Sequence, residues 1–109
     1  GITCVLLKYR VPCQRVGAYN DCPQAHQDAQ RAMRLVRSRA TAWRIDSRKI
    51  GVLGFSAGAH MAIVSSTQFT RVYPPVDGAD SLSTRPDFAI VLYPGRVAYR
   101  HMKFAFNPD

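Results

Sequence analysis

The sequence predicts an α/β fold, about three parallel strands joined by crossover helices, and three observations carry that prediction. Apolar runs without polar alternation occur at residues 2–9, 50–55 and 88–93. Such runs are typical of parallel strands covered on both faces. Segments of helical character separate them, and strand–helix–strand order brings each strand back to one sheet by a right-handed crossover. The second run meets its helix with no intervening loop, at Gly54-Phe55-Ser56-Ala57-Gly58.

The first run, residues 2–9, is expected to be a buried strand, with Cys4 as a small hydrophobe inside it. Residues 11–22 hold two prolines, a glycine and Asn20-Asp21, and read as a loop that ends in a helix start. Asp21 suits the cap, Pro23 the first turn, and Gln24 completes a box-like spacing. From there Ala29, Ala32, Met33, Val36, Ala40 and Trp43 recur at three and four, laying an apolar stripe along a helix that reaches Trp43. Asp46-Ser47 makes a turn before the second strand. After Ser56, Ala57, Gly58 and Ala59 open a second helix, which carries Met61, Ala62, Ile63 and Val64 and weakens at Ser65-Ser66-Thr67. A Pro- and Asp-rich loop, residues 73–86, leads to the third strand, which stops at Pro94-Gly95. The rest has no clear period, and residues 1–109 read as one partial domain without repeats.

With 109 residues and 47% apolar composition, the chain has the makings of a packed domain rather than a disordered segment. It starts at Gly1 and enters an apolar run at once, as the middle of a larger protein would, and three strands would leave sheet edges that ask for continuation. No apolar stretch approaches the roughly 18 residues of a membrane span, and no secretory leader is visible. The formal net charge of +8 raises the question of nucleic acid. Arg31, Arg34, Arg37, Arg39 and Arg44, however, lie along the first helix and are expected to form its solvated face, with no nucleic-acid motif beside them. Cys4, Cys13 and Cys22 match no metal or redox spacing, and a Cys13–Cys22 disulfide requires an oxidising compartment.

Gly-x-Ser-x-Gly arises by chance in only about 3% of chains of this length, which makes its position between strand and helix informative. A neutral serine is a weak nucleophile and needs a geometry in which a base can take its proton. A tight strand-to-helix turn exposes Ser56 above the sheet, and the Ala57 amide at the helix N-terminus is placed to donate to an oxyanion. The competing reading makes Ser56 a simple helix N-cap in a glycine-bearing turn. Neither a Walker loop nor a dinucleotide fingerprint is present. Tyr9, Arg10 and Tyr93 stand at the carboxyl ends of the first and third strands, where a ligand pocket forms in open parallel sheets.

Residues 7–12 (Leu-Lys-Tyr-Arg-Val-Pro), 28–37, 50–60 and 85–88 resemble the acetyl-esterase branch of the α/β-hydrolases, including acetylxylan esterase-like members. The resemblance spans residues 2–94 and implies that the chain is the central part of an α/β-hydrolase fold, with Ser56 as nucleophile, Ala57 as oxyanion donor and Gly54, Phe55 and Gly58 shaping the elbow. It implies a serine esterase acting on a small-molecule or carbohydrate ester, with a short acyl group favoured, and calls for no metal or cofactor, no nucleic acid and no membrane. Ala59 departs from the glycine common there. By the same resemblance the second oxyanion donor would precede residue 1, and the triad Asp and His would follow residue 109. His101 is a weaker candidate for the base, His60 is expected in the core, His26 in solvent, and Asp80 and Asp87 away from the site. Two alternatives stay open, a non-catalytic folding or interaction unit and a prolyl-peptidase-like serine hydrolase.

Overall fold

The computed structural model describes residues 1–10 and 23–94 of the chain. Its elements are α1 (Pro23–Ser38), β1 (Gly51–Phe55), α2 (Ala57–Thr67), a 3-10 turn (Gly78–Ser81) and β2 (Phe88–Leu92). β1 and β2 pair in parallel, from Gly51 opposite Phe88 to Phe55 opposite Leu92. Asp87 locks the start of the ladder. Its carboxylate accepts the Ile50 N–H at 2.9 Å, and its own N–H donates to the Ile50 carbonyl at 2.7 Å. At the far end the Ser56 N–H donates to the Leu92 carbonyl at 3.0 Å.

Side chains alternate along a strand, so Gly54 and Phe55 point to opposite faces. Gly54 faces α2, whose backbone occupies the space its side chain would need. Ala59, Ala62, Ile63 and Val64 of α2 are buried, and α1 packs beside that helix with Ala25 and Met33 buried. Both helices thus lie on one face. The other face carries Phe88, Leu53, Ile90, Phe55 and Leu92, all exposed.

The expected first strand is not formed. Residues 1–10 carry no strand, and Ile2 and Leu6 are 91% and 99% exposed. A strand exists only through its ladder, and among the described residues β1 and β2 pair only with each other. Cys4 is consequently exposed rather than buried. Cys13, Cys22, Asp21 and His101 lie outside the described residues.

α1 ends at Ser38, five residues before Trp43. The Arg39 N–H is shared between the Leu35 and Val36 carbonyls, each at 3.1 Å, which tightens the helix into turns. Those turns close in a Schellman arrangement: Ile45 N–H to Ala40 carbonyl at 2.9 Å, Arg44 N–H to Thr41 carbonyl at 3.2 Å, and Arg44 left-handed at φ 55°. Ala40 is buried, as the stripe requires, but Trp43 is exposed beneath the Arg39 guanidinium.

The expected solvated arginine face is half wrong. Arg34 is buried, donating to the Leu82 carbonyl and the Tyr73 hydroxyl, each at 3.0 Å. Arg31 forks onto Asp77 at 2.8 Å and reaches Asp80 at 3.0 Å. Arg37 donates to the carbonyls of Ser47, Ser83 and Arg85. The loop before β2 presents carbonyls and carboxylates to the helix, so the guanidinium groups exchange water for protein acceptors. His26, expected in solvent, is buried beside Gln30, whose amide donates to the Thr70 carbonyl at 2.9 Å. Burial holds the His26 imidazole below its usual pKa, against the opposing effect of a hydrogen bond with the Gln68 backbone.

Asp80 is the hub of the loop. Its side chain is inaccessible and accepts from Arg31, the Tyr73 hydroxyl and the Val76 N–H. Burial favours protonation, but these donors outweigh it and hold the carboxyl well below the usual range.

Candidate active site

β1 delivers its chain to α2 in a single residue. Ser56 has φ 51° and ψ −116°, a left-handed conformation that is costly for a residue with a Cβ. The turn has no slack because Gly54 and Gly58 are in backbone contact: a Cβ on Gly54 would lie 2.1 Å from the Gly58 carbonyl oxygen. A Cβ on Gly58 meets nothing within 4 Å.

Ser56 occupies the N-cap position, yet its side chain makes no capping hydrogen bond and the residue is exposed. A serine that served as a cap would sit in the β region and accept from the N2 or N3 amide. Its carbonyl instead accepts the His60 N–H at 3.1 Å, starting the helix, and leaves the hydroxyl to solvent at the carboxyl end of β1. Ala57 follows at the first position of α2, where helix N–H groups lack intrahelical acceptors. A turn that presents a serine hydroxyl beside a helix N-terminus is an arrangement chemically suited to attack on a carbonyl carbon and to stabilising an oxygen that becomes negative.

Tyr93 stands one residue beyond β2, at φ 39° and 70% exposed, with its ring centroid 6.0 Å from that of Phe55. Tyr9 is half-buried. Arg10 is directed to α1, where it donates to both carboxylate oxygens of Asp28, at 2.9 and 3.0 Å, and to Gln27. These contacts raise the Arg10 pKa and outweigh burial in lowering that of Asp28. His60 is buried on α2. Asp87 is at the opening of the ladder and Asp80 in the 3-10 turn, so neither is at the end of the sheet that carries Ser56. The positive φ at Tyr93 falls on a residue other than glycine, and the sequence signal beside it is the strand stop at Pro94-Gly95. Among the described residues no helix is long and apolar enough to cross a membrane, and no group of three His, Cys, Asp or Glu is arranged to hold a metal.

Residues 3–83, which include the whole elbow, match the BD-FAE family model. The chain belongs to the BD-FAE family. This BD-FAE chain is 31% identical over 94 residues to an acetylxylan esterase of Xylanibacter ruminicola, covering 86% of itself and 16% of that protein. It is 35% identical over 71 residues to endo-1,4-beta-xylanase B of Butyrivibrio fibrisolvens, covering 65% of itself and 11% of that protein. It therefore spans less than a fifth of either curated relative. Among solved structures it is similar to an acetyl ester-xyloside bifunctional hydrolase of Caldicellulosiruptor lactoaceticus, with TM-score 0.66 and 39% identity over 79% of this chain and 30% of the other. A thermophilic esterase of the Planctomycetes species Thermogutta terrifontis shares the fold, with TM-score 0.63 at 23% identity, covering 90% of this chain and 37% of the other. The fold is that of part of an α/β-hydrolase, and the resemblance to the acetyl-esterase branch holds.

Proposed function

We propose that Ser56 is the nucleophile of a carboxylic ester hydrolase. The observation that carries this reading is the left-handed Ser56, a strained residue whose hydroxyl does not cap the helix it precedes. Strain of this kind, about 1–3 kcal/mol, persists only where the surroundings impose it, and it gathers at reactive sites.

In this reading Ser56 Oγ attacks the ester carbonyl carbon and gives its proton to an imidazole. The carbonyl oxygen takes the negative charge and accepts a hydrogen bond from the Ala57 N–H. Collapse breaks the bond to the alcohol oxygen, which leaves with the proton from the imidazole, and the acyl group stays on Ser56. Water then attacks the acyl-enzyme and releases the acid. The imidazole and its orienting carboxylate come from outside the described residues, since His26 and His60 are both buried within the helical layer. Loss of either group would leave only about 10³- to 10⁴-fold acceleration over water. The relatives' names, an acetylxylan esterase among them, support an acetyl or other short acyl group on a carbohydrate alcohol.

The test is hydrolysis of 4-nitrophenyl acetate by the intact protein, together with mapping of a fluorophosphonate adduct. We expect the adduct on Ser56 and a loss of about 10⁴- to 10⁶-fold in kcat for Ser56→Ala. An active Ser56→Ala protein, or an adduct on another residue, refutes the assignment.

A further inference from the structure

Ser56 and Tyr93 are neighbours across the sheet. Phe55 is opposite Leu92, so the next level of the ladder holds Ser56 and Tyr93, and the Ser56 N–H still bonds to the Leu92 carbonyl at 3.0 Å. Paired strands run about 4.8 Å apart. Both residues leave the strand direction at this level with positive φ, 51° and 39°. Ser56 enters α2, and Tyr93 brings its ring to Phe55, centroids 6.0 Å apart and planes tilted by 45°. Phe55 is on the face away from α2, because Gly54, one residue earlier, is filled by the α2 backbone. Both rings are open to solvent, Phe55 at 52% and Tyr93 at 70%. An exposed aromatic pair is therefore attached to the nucleophile on the side opposite the helix that carries the Ala57 amide.

We infer that Tyr93, backed by Phe55, forms the wall that receives the alcohol part of the ester, a sugar ring. The inference rests on the reading of Ser56 as the nucleophile of a short-acyl esterase. The Ala57 N–H draws the carbonyl oxygen toward α2, so the substituents of the carbonyl carbon extend elsewhere. An acetyl group ends in one methyl and offers too little surface to cover two rings. The alcohol is the larger part. A pyranose presents a face of C–H bonds to lie on an aromatic ring and hydroxyls at its rim, and Tyr93 presents a ring with a hydroxyl at its edge. Tyr93 acts through binding and takes no part in proton transfer.

The experiment compares methyl acetyl-xyloside with ethyl acetate, the same acyl group on different alcohols, for intact wild-type, Tyr93→Gly and Tyr93→Phe proteins. Glycine accepts φ 39° without cost, so Tyr93→Gly removes the ring and keeps the turn. The preference, kcat/KM for the sugar ester over kcat/KM for ethyl acetate, is expected to fall about ten-fold in Tyr93→Gly, through KM. Tyr93→Phe should keep it within about two-fold. A preference unchanged in Tyr93→Gly, or both esters falling together, overturns the inference. So does a change that follows the acyl group, propionyl against acetyl, instead of the alcohol. Binding of methyl xyloside to the Ser56→Ala protein, read by chemical-shift titration, is measured beside these. If wild-type Ser56 takes no fluorophosphonate the nucleophile reading fails on its own, whereas loss of xyloside binding in Tyr93→Gly upholds the wall and unchanged binding removes it.

Discussion

A methyl group at Gly54 would stand 2.1 Å from the Gly58 carbonyl oxygen and 2.7 Å from the Ala59 nitrogen, atoms of helix backbone that cannot swing aside. The same methyl at Gly58 would meet nothing within 4 Å. The sequence motif treats the two glycines alike, and the geometry separates them. Gly54→Ala must push α2 off β1 and is expected to destabilise the protein by about 1–3 kcal/mol. Gly58→Ala, near the start of a helix, should be neutral or stabilise by up to about 1 kcal/mol. Denaturant midpoints of the two variants check this, and equal losses at both positions would contradict it. Activity should follow the same order, because the displaced backbone also carries the Ala57 amide. The elbow itself was legible from five residues, since its chemistry is local. Tyr93 was legible as a residue at a strand end, just before the stop at Pro94-Gly95; its positive φ was not, because nothing in the residue type calls for it.

At the scale of elements, α1 shows why a periodic pattern gives a helix more readily than it gives the helix's partner. His26, Gln30 and Arg34 recur at four-residue intervals on one face, and all three are buried. The polarity of His26 and Arg34 pointed to water. The partners of Gln30 and Arg34 are the Thr70 and Leu82 carbonyls and the Tyr73 hydroxyl, 39 to 48 residues away in sequence, and a non-local acceptor leaves no mark on the helix's own period. The apolar run at residues 2–9 shows the converse: its composition is that of a strand, but composition supplies no ladder. The buried polar face also sets a pH dependence. The folded His26 pKa is below its unfolded value, so its contribution to stability is present above about pH 6.5 and declines as pH falls below that. The Asp80 pKa is likewise depressed, so its contribution is intact above about pH 4 and is lost at lower pH. Stability measured from pH 8 to pH 3 should fall in two stages. His26→Gln should flatten the first, and Asp80→Asn should lower the plateau and flatten the second. A single transition unaltered by either variant would show that these groups do not control the acid response.

Over the whole molecule, the placement of both helices on one face leaves Phe88, Leu53 with Ile90, and Phe55 with Leu92 as adjacent exposed apolar residues across the two-stranded sheet. Contiguous apolar surface of this kind promotes association, and water is a poor solvent for it. The formal net charge of +8 opposes association by mutual repulsion. The balance between these two effects depends on salt. Screening lengths shrink from about 30 Å at 0.01 M to about 8 Å at 0.15 M ionic strength, whereas the apolar attraction does not weaken with added salt. The 109-residue chain is therefore expected to be mostly monomeric at low salt and to associate as sodium chloride is raised, as read by light scattering coupled to size exclusion. Leu53→Lys with Ile90→Lys, a cross-strand pair in the middle of that face, should suppress the association and reduce binding of an apolar fluorescent dye. Because both side chains are at least 44% exposed, the substitution leaves the α2 side of the sheet untouched and the helical signal should persist. A chain that stays monomeric across the salt series, or a double variant that associates as readily as the wild type, would mean that this face does not govern its solution behaviour.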